Sequence, residues 1–525
     1  MKDNRYIELF SNPGKVLLDD IPVLNYDDFA AFLDSLMGEE GTHCVAYFVV
    51  PLPDKYKFIC CMAADENHAI LLCSHEQPLD PALSLQALTA RHFQFHVFER
   101  EIHENFGIGF HGHPWLKPIR FPFDRADQSK GMNDYPFYSI DGDELHEVGV
   151  GPIHAGIIEP GHFRFICHGE LVLHLEIHLG YQHRGVERLF VERPGTLKQS
   201  VLAESIAGDT AVGHALAYAG LIDSLAGYDV PEQLAAERII ALELERIAMH
   251  IGDTAALCTD IAYQFGQVVN EALRTVIINT TQLWCGNRFG KGLIRHGGTN
   301  YPLTDDISSQ VLKNLDDVQA RYLQVTDRIF SLPSVLGRFE GTGKVTTMQA
   351  SLIGAVGMAA KSSGMYRDIR WSHPFSAYAG QLYEPVMLEK GDVWSRAMLR
   401  KLEVEKSMAV IRELIREFTI DDLRFTIEGA PQLKIENRKS KMVSKPAYDP
   451  PLAPSSLAIS MVEGWRGEIC HVAMTDSAGH IIHYKAKDPS FHNWMALALA
   501  VRNQEISDFP LCNKSFNLSY CGNDL

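Results

Sequence analysis

GPIHAGIIEPGHFRF, residues 151–165, puts two imidazoles and a carboxylate, His154, Glu159 and His162, into one short glycine- and proline-bearing stretch. Such a group can hold a metal ion, pass a proton, or satisfy a polar turn. A metal ion needs further donors, and His154, Glu159 and His162 have none of the right kind close by in sequence. A proton relay is chemically sound, because burial and neighbouring charges move carboxyl and imidazole pKa values toward neutrality. The turn reading needs only that the side chains bond buried backbone groups.

A second polar cluster is EREIHENFGIGFHGHPWLKPIRFP, residues 99–122. Its histidines at 103, 111 and 113 do not follow a recognised zinc spacing, so it reads as a helix running into an aromatic, glycine-rich loop. GTGK at 341–344 lacks the remaining spacing and the hydroxyl residue of a phosphate loop, and no GxGxxG dinucleotide fingerprint occurs.

The elements that must position these groups fall into three textures. Residues 1–122 alternate short apolar runs with turns, and 44–52, 58–64 and 69–74 read as strands of a small α+β unit. Residues 123–147 are polar with glycine and proline, and read as a linker. From 148 to 525 the chain reads as one large, mainly α-helical domain with a small β-sheet. Residues 163–180 suggest a hairpin. Residues 234–251 carry an apolar stripe of Leu234, Ile240, Leu244, Ile247 and Ile251, with Pro231 suited to the helix start. Residues 391–418 read as another long helix with Val393, Ala397 and Leu402 toward the core, and 456–500 as strands before a short helix.

Composition narrows the function classes. A chain of 525 residues, 46% hydrophobic, has room for about two to four domains. Its net charge of -18 excludes a general nucleic-acid binder and favours basic partner surfaces. The ten cysteines include no CxxC pair, which fits a reducing compartment better than a disulfide framework. The opening residues contain no apolar signal core, and no uncharged apolar run reaches the length of a membrane span.

Several separated motifs carry a resemblance. The 99–122 stretch resembles the signature of the small hydrophilic subunit of respiratory complex I. GPIH…EPGHFRF…GE…LGYQHRGVE resembles the large subunits of membrane-bound [NiFe] hydrogenases of the formate-hydrogenlyase and hydrogenase-4 type, and their relative, the quinone-pocket subunit of complex I. LELERIAMHIGD (242–253), SGMYRDIRWSHPFSAY (363–378), GDVWSRAMLRKLEVEKS (391–407) and VEGWRGEI (462–469) continue it in register. Together the two resemblances span nearly the whole chain, as a fusion of the two subunits.

The resemblance implies a metal test. In the hydrogenases two CxxC pairs hold nickel and iron, a task for soft thiolates. Keeping His214 in register puts Ala207 and Thr210 at the first pair, and the C-terminal register puts Ser519 and Gly522 at the second, with Cys521 one residue away. The expectation is therefore that no nickel–iron cluster and no other metal is bound directly. The resemblance implies proton handling for Glu159, with His162 and His154 beside it. It places Arg184 toward a [4Fe-4S] cluster of an adjacent small subunit, supported by His183 and Glu187, and Arg466 over the former metal pocket. Trp465 stands where the family often has proline and can fill space. The tyrosine that complex I uses near quinone falls at Gly208, so quinone takes a secondary place.

The resulting expectation is a subunit of an energy-converting-hydrogenase-related oxidoreductase complex, peripheral on the cytoplasmic face of the membrane. Its implied partners are an iron–sulfur small subunit, ferredoxin-like subunits and antiporter-like or membrane-anchor subunits. A quinone reductase using the emptied pocket and a purely structural coupling subunit are the alternatives.

Overall fold

The computed structural model describes residues 4–156, 158–380, 383–423 and 445–525. The three apolar runs near the N terminus form the antiparallel strands Thr42–Pro51, Lys55–Ala64 and Ala69–Pro78. Ile7–Leu9 pairs antiparallel and Val23–Leu24 parallel with the last of them, completing a five-stranded sheet. These strands read as nearly continuous apolar text because both faces are covered. Tyr47, Val49, Phe58 and Met62 face a core with Phe29 and Leu33 of the helix Tyr26–Leu36 and Phe98 of the helix His96–Phe106. Val45, Phe48, Ile59 and Leu72 face the core of the helical region.

The N-terminal region also lends a strand to the C-terminal one. Gly14–Leu17 pairs antiparallel with Ser456–Glu463, which continues through Glu468–Thr475 to Ile481–Lys487. The polar stretch 123–147 runs into a strand, Leu145–Val150, which joins the hairpin His162–His168 and Leu171–His178 as a three-stranded sheet. Tyr135 in that stretch is buried and stacks on His178 at 4.1 Å.

The helical region is built around Glu232–Asp260, against which Gln264–Cys285 and Val393–Leu423 pack. Leu234, Ile240, Leu244, Ile247 and Ile251 are all buried, as the stripe requires. The helix is covered well beyond that stripe, because helices close on it from several sides. Pro231 sits at the N-cap, one residue ahead of the first helical position. On Val393–Leu423, Val393 and Ala397 are core residues while Leu402 is only half-buried. The predicted α+β unit followed by a mainly helical region with small sheets is thus the observed architecture, and none of the helices among the described residues is long and apolar enough to cross a membrane.

Ile247 is fully buried in the large core. Ile247→Ala is expected to cost about 2–5 kcal/mol, read as a lowered thermal midpoint of the purified protein.

Candidate functional site

Two loops and the C-terminal helix meet at one pocket. The first loop, residues 204–210, leads into the helix Ala211–Ala226. That helix begins on Glu245, whose carboxylate accepts the N–H groups of Val212 (2.7 Å) and Gly213 (3.1 Å). An acid at a helix N-terminus is favoured by the helix dipole. Burial nevertheless pushes its carboxyl up to about 8, against those two hydrogen bonds.

The second loop is the turn between Ser456–Glu463 and Glu468–Thr475. Gly467 (φ +138°) lies against Gly357 so closely that a Cβ on it would fall 2.6 Å from the Gly357 Cα. This close approach sets where Arg466 points. Its guanidinium grips both oxygens of Asp209 at 2.7 Å and donates to Thr210 Oγ1 at 3.1 Å. Its Nε donates to the Asn517 carbonyl at 2.5 Å. A bidentate guanidinium–carboxylate pair is among the stronger and more directional of polar contacts. Trp465 lies buried beneath, 3.9 Å from the same guanidinium, and donates to the Asp209 carbonyl.

Arg184 makes a second bridge between the same segments. It donates to the carbonyls of Ser205 (2.6 Å), Ile206 (2.9 Å) and Cys521 (3.1 Å) while its side chain stays at the surface. His183 Nδ1 lies 2.7 Å from the Asp524 carbonyl. Glu187 accepts from the Ala486 N–H and pairs with Lys485 at 3.0 Å. The HRGVE motif therefore fastens the C-terminal helix Tyr520–Asp524 and the strand Ile481–Lys487 to the first loop.

The four register positions take their places around this pocket. Ala207 offers a buried methyl, and its carbonyl accepts the Thr210 N–H. Thr210 Oγ1 is held by Arg466. Ser519 Oγ caps the C-terminal helix by accepting the Gly522 N–H at 2.9 Å. A Cβ on Gly522 would fall 2.6 Å from the Asp488 carboxyl carbon, so the Asp488 side chain fills the space there. Cys521 does not line up with these four. Its thiol meets the Ser519 hydroxyl at 3.5 Å, and Glu159 lies near enough for its charge to act on it. Burial, and then the Glu159 charge, push that thiol up to about 11.

The turn that opens the motif thus reaches the pocket through Glu159, which is half-buried. Ile157 lies outside the described residues. Gly161 packs on the ring of Tyr520, where a Cβ would come within 2.7 Å. His154 Nε2 lies 2.9 Å from the Gly161 carbonyl, which can only accept, so that nitrogen carries the proton. His162 sits over Phe137 at 5.0 Å, and burial, with Arg164 and His154 nearby, lowers its pKa. Among the described residues no hydrogen bond joins Glu159 to either histidine.

Behind the pocket runs a buried chain that sequence reasoning missed. Asp488 Oδ2 lies 3.1 Å from His214 Nε2, His214 Nδ1 lies 3.1 Å from His471 Nε2, and His471 Nδ1 lies 2.6 Å from the Tyr484 hydroxyl. One protonation pattern satisfies every link: Tyr484 donates to His471, His471 to His214, and His214 to the Asp488 carboxylate. Burial holds the His471 pKa well below the ordinary range and raises that of Tyr484 well above it. Burial alone would raise the Asp488 carboxyl, but His214 and Arg466 outweigh it and hold it below its usual value. Asp209, Asp488, His471 and Tyr484 belong to no short motif, and more than 250 residues separate Asp209 from the Arg466 that binds it. Among the described residues no cluster of three or more histidine, cysteine or acidic side chains has the geometry to hold a metal ion.

The fold and pocket belong to a known class. Residues 260–524 match the family described as the respiratory-chain NADH dehydrogenase 49 Kd subunit, and the chain belongs to that family. It is similar to hydrogenase-4 component G of Escherichia coli, 25% identical over 443 residues, covering 81% of this chain and 73% of that one. It is also similar to the carbon monoxide-induced hydrogenase of Rhodospirillum rubrum, 28% identical over 376 residues, with 71% and 97% covered. A component of the NADH-quinone oxidoreductase of Dehalococcoides mccartyi is 26% identical over 369 residues, with 69% and 93% covered. Among solved structures, a chain of an archaeal membrane-bound sulfane sulfur reductase, a respiratory membrane complex, shares the fold with a TM-score of 0.62 at 20% identity, over 74% of this chain and all of that one.

Because the Asp488 carboxyl is held low in the folded state, its pairing stabilises the fold above the unfolded carboxyl value of about 4 and is lost as pH falls below it. Asp488→Asn is expected to lower the thermal midpoint at pH 7, with the gap to the parent protein closing on acidification; the check is thermal unfolding across pH.

Proposed function

We propose that this chain is a peripheral-arm subunit of a membrane-bound, complex I-like redox complex, that it holds no nickel–iron centre, and that its pocket handles protons beside a partner's iron–sulfur cluster. The carrying observation is the donor set. The four positions that face the inherited pocket offer a methyl, a hydroxyl held by Arg466, a hydroxyl spent on a helix cap, and a glycine whose space Asp488 fills. This set does not fit nickel and iron, which call for thiolates. Cys521 is a single thiol, and burial and Glu159 favour its protonated form.

The residues that remain suit proton chemistry. Glu159 is half-buried and near Cys521, whose carbonyl is held by Arg184. Arg184 presents a cation at the surface, where a neighbouring subunit can reach it. A positive charge beside an iron–sulfur cluster favours its reduced form. Reduction of such a cluster then favours proton uptake at Glu159, and the added charge can bias a two-state element coupled to ion-translocating membrane subunits on the cytoplasmic side. A second reading, quinone as the pocket's occupant, lacks the tyrosine that the resemblance implies, because Gly208 stands at that position.

Metal analysis of the purified complex is expected to find no stoichiometric nickel and no hydrogen uptake; either one would overturn the reading. Glu159→Gln is expected to leave assembly intact and to slow proton translocation by about a hundredfold. Unchanged translocation would remove the relay, and saturable protection of the pocket by a quinone analogue would move the assignment to the second reading.

A further inference from the structure

The helical core contains a second set of ionisable groups, remote from the Glu159 turn. Four carboxylates meet three cations. Glu243 and Arg246 come from the helix Glu232–Asp260, Asp368 and Arg370 from the start of the short helix Ile369–Ser372, Glu403 from the helix Val393–Leu423, Lys361 from the end of Gly357–Lys361, and Glu463 from the end of the strand Ser456–Glu463. Every one of these seven side chains is buried, with no more than 2% exposed.

The cations are shared unequally. Asp368 receives Arg370 through two bonds, at 2.8 and 2.6 Å, and Lys361 at 2.9 Å. Glu403 receives Lys361 at 2.6 Å, Arg370 at 3.1 Å and Arg246 at 3.4 Å. Glu243 receives Arg246 at 3.0 Å and the hydroxyls of Tyr378 (2.8 Å) and Ser407 (2.5 Å). Glu463 is left with a long contact to Lys361, 3.2 Å, and the Ile369 N–H at 3.1 Å. Its own backbone carbonyl, meanwhile, takes Arg246 at 2.5 Å.

The groups around the set do not change this balance. His250 faces Glu403 at 3.7 Å, and burial drives its pKa down to about 4, so it is neutral. Lys406 lies half-buried at the rim over the Tyr383 ring, bonded to the Glu384 carbonyl. Arg400 is matched by Asp253 at 2.9 Å. With all carboxyls ionised the buried set carries one net negative charge, and an unpaired buried charge is costly enough that the group takes up a proton instead.

We infer that this set is a proton-binding site distinct from the pocket, in which Glu463 holds one proton in the folded protein. Burial, and next the Asp368 charge, raise the Glu463 carboxyl to about 7, while Asp368 is held at about 2 and Glu403 well below its usual range by their cations, against the effect of burial. The strand that ends at Glu463 leads through Gly464 and Trp465 to Arg466, so the charge of this site changes three residues from the pocket's guanidinium. The inference stands on the charge balance of the core and does not depend on the function proposed above.

For a carboxyl raised in the folded state, the stabilisation is complete below the unfolded value and is lost as pH rises through the folded value. Infrared difference spectra of the purified complex, titrated from about pH 5 to pH 9, test it. The expected result is a set of protonated-carboxyl bands that shift on isotopic labelling of glutamate, with one component that titrates near neutrality lost in Glu463→Gln while that of Glu245 remains. That variant should match the parent's thermal midpoint near about pH 4 and exceed it by a widening margin as pH rises toward about 7, whereas Glu403→Gln, which strips a paired anion, should be strongly destabilised. A parent spectrum with no protonated glutamate band overturns the inference without any variant. So does a Glu463→Gln spectrum that matches the parent's across the titration.

Discussion

The grip of Arg466 on Asp209 is the contact on which the pocket depends. It ties a turn between two C-terminal strands to a loop more than 250 residues earlier, and its Nε reaches the segment that enters the C-terminal helix. Arg184 repeats the bridge at the surface, from the first loop to the carbonyl of Cys521. Two guanidiniums thus join the strand turn, the first loop and the C-terminal segment. A guanidinium suits the task because its planar fork meets a carboxylate or several carbonyls at once and stays charged at any pH the protein meets.

Around that join, several buried polar groups are arranged in chains. The sequence Tyr484, His471, His214, Asp488 is matched from end to end, and it closes on the side where Gly522 leaves room for a carboxylate. The core beneath Glu463 is nearly matched, one charge short. Polar groups in such surroundings gain from every partner and lose heavily from a missing one. That asymmetry explains why so much of the helix Glu232–Asp260 carries charge while being covered by its neighbours.

Much of this architecture is legible in the residues. The apolar runs of the N-terminal sheet and the stripe from Leu234 to Ile251 are local patterns, and local patterns survive into the fold. The four register positions, Ala207, Thr210, Ser519 and Gly522, follow from the motif register alone. Pairing across long separations is what the residues do not announce. Nothing near His214 in sequence points to His471 or Asp488, and nothing near Asp209 points to Arg466. The Glu159 turn shows the same limit at short range. Its two histidines are near in sequence, yet no hydrogen bond among the described residues joins Glu159 to either, and its charge is felt instead at Cys521.

The strand Gly14–Leu17 has one further consequence, for biosynthesis. Its hydrogen-bonding partner, Ser456–Glu463, leaves the ribosome more than 400 residues later, and one face of the N-terminal sheet waits for core residues that also come later in the chain. An unpaired edge and a bare apolar face exposed throughout translation invite association with other chains. A protein threaded in this way calls for a chaperone, or an early-arriving companion protein, to shelter its beginning until its end exists.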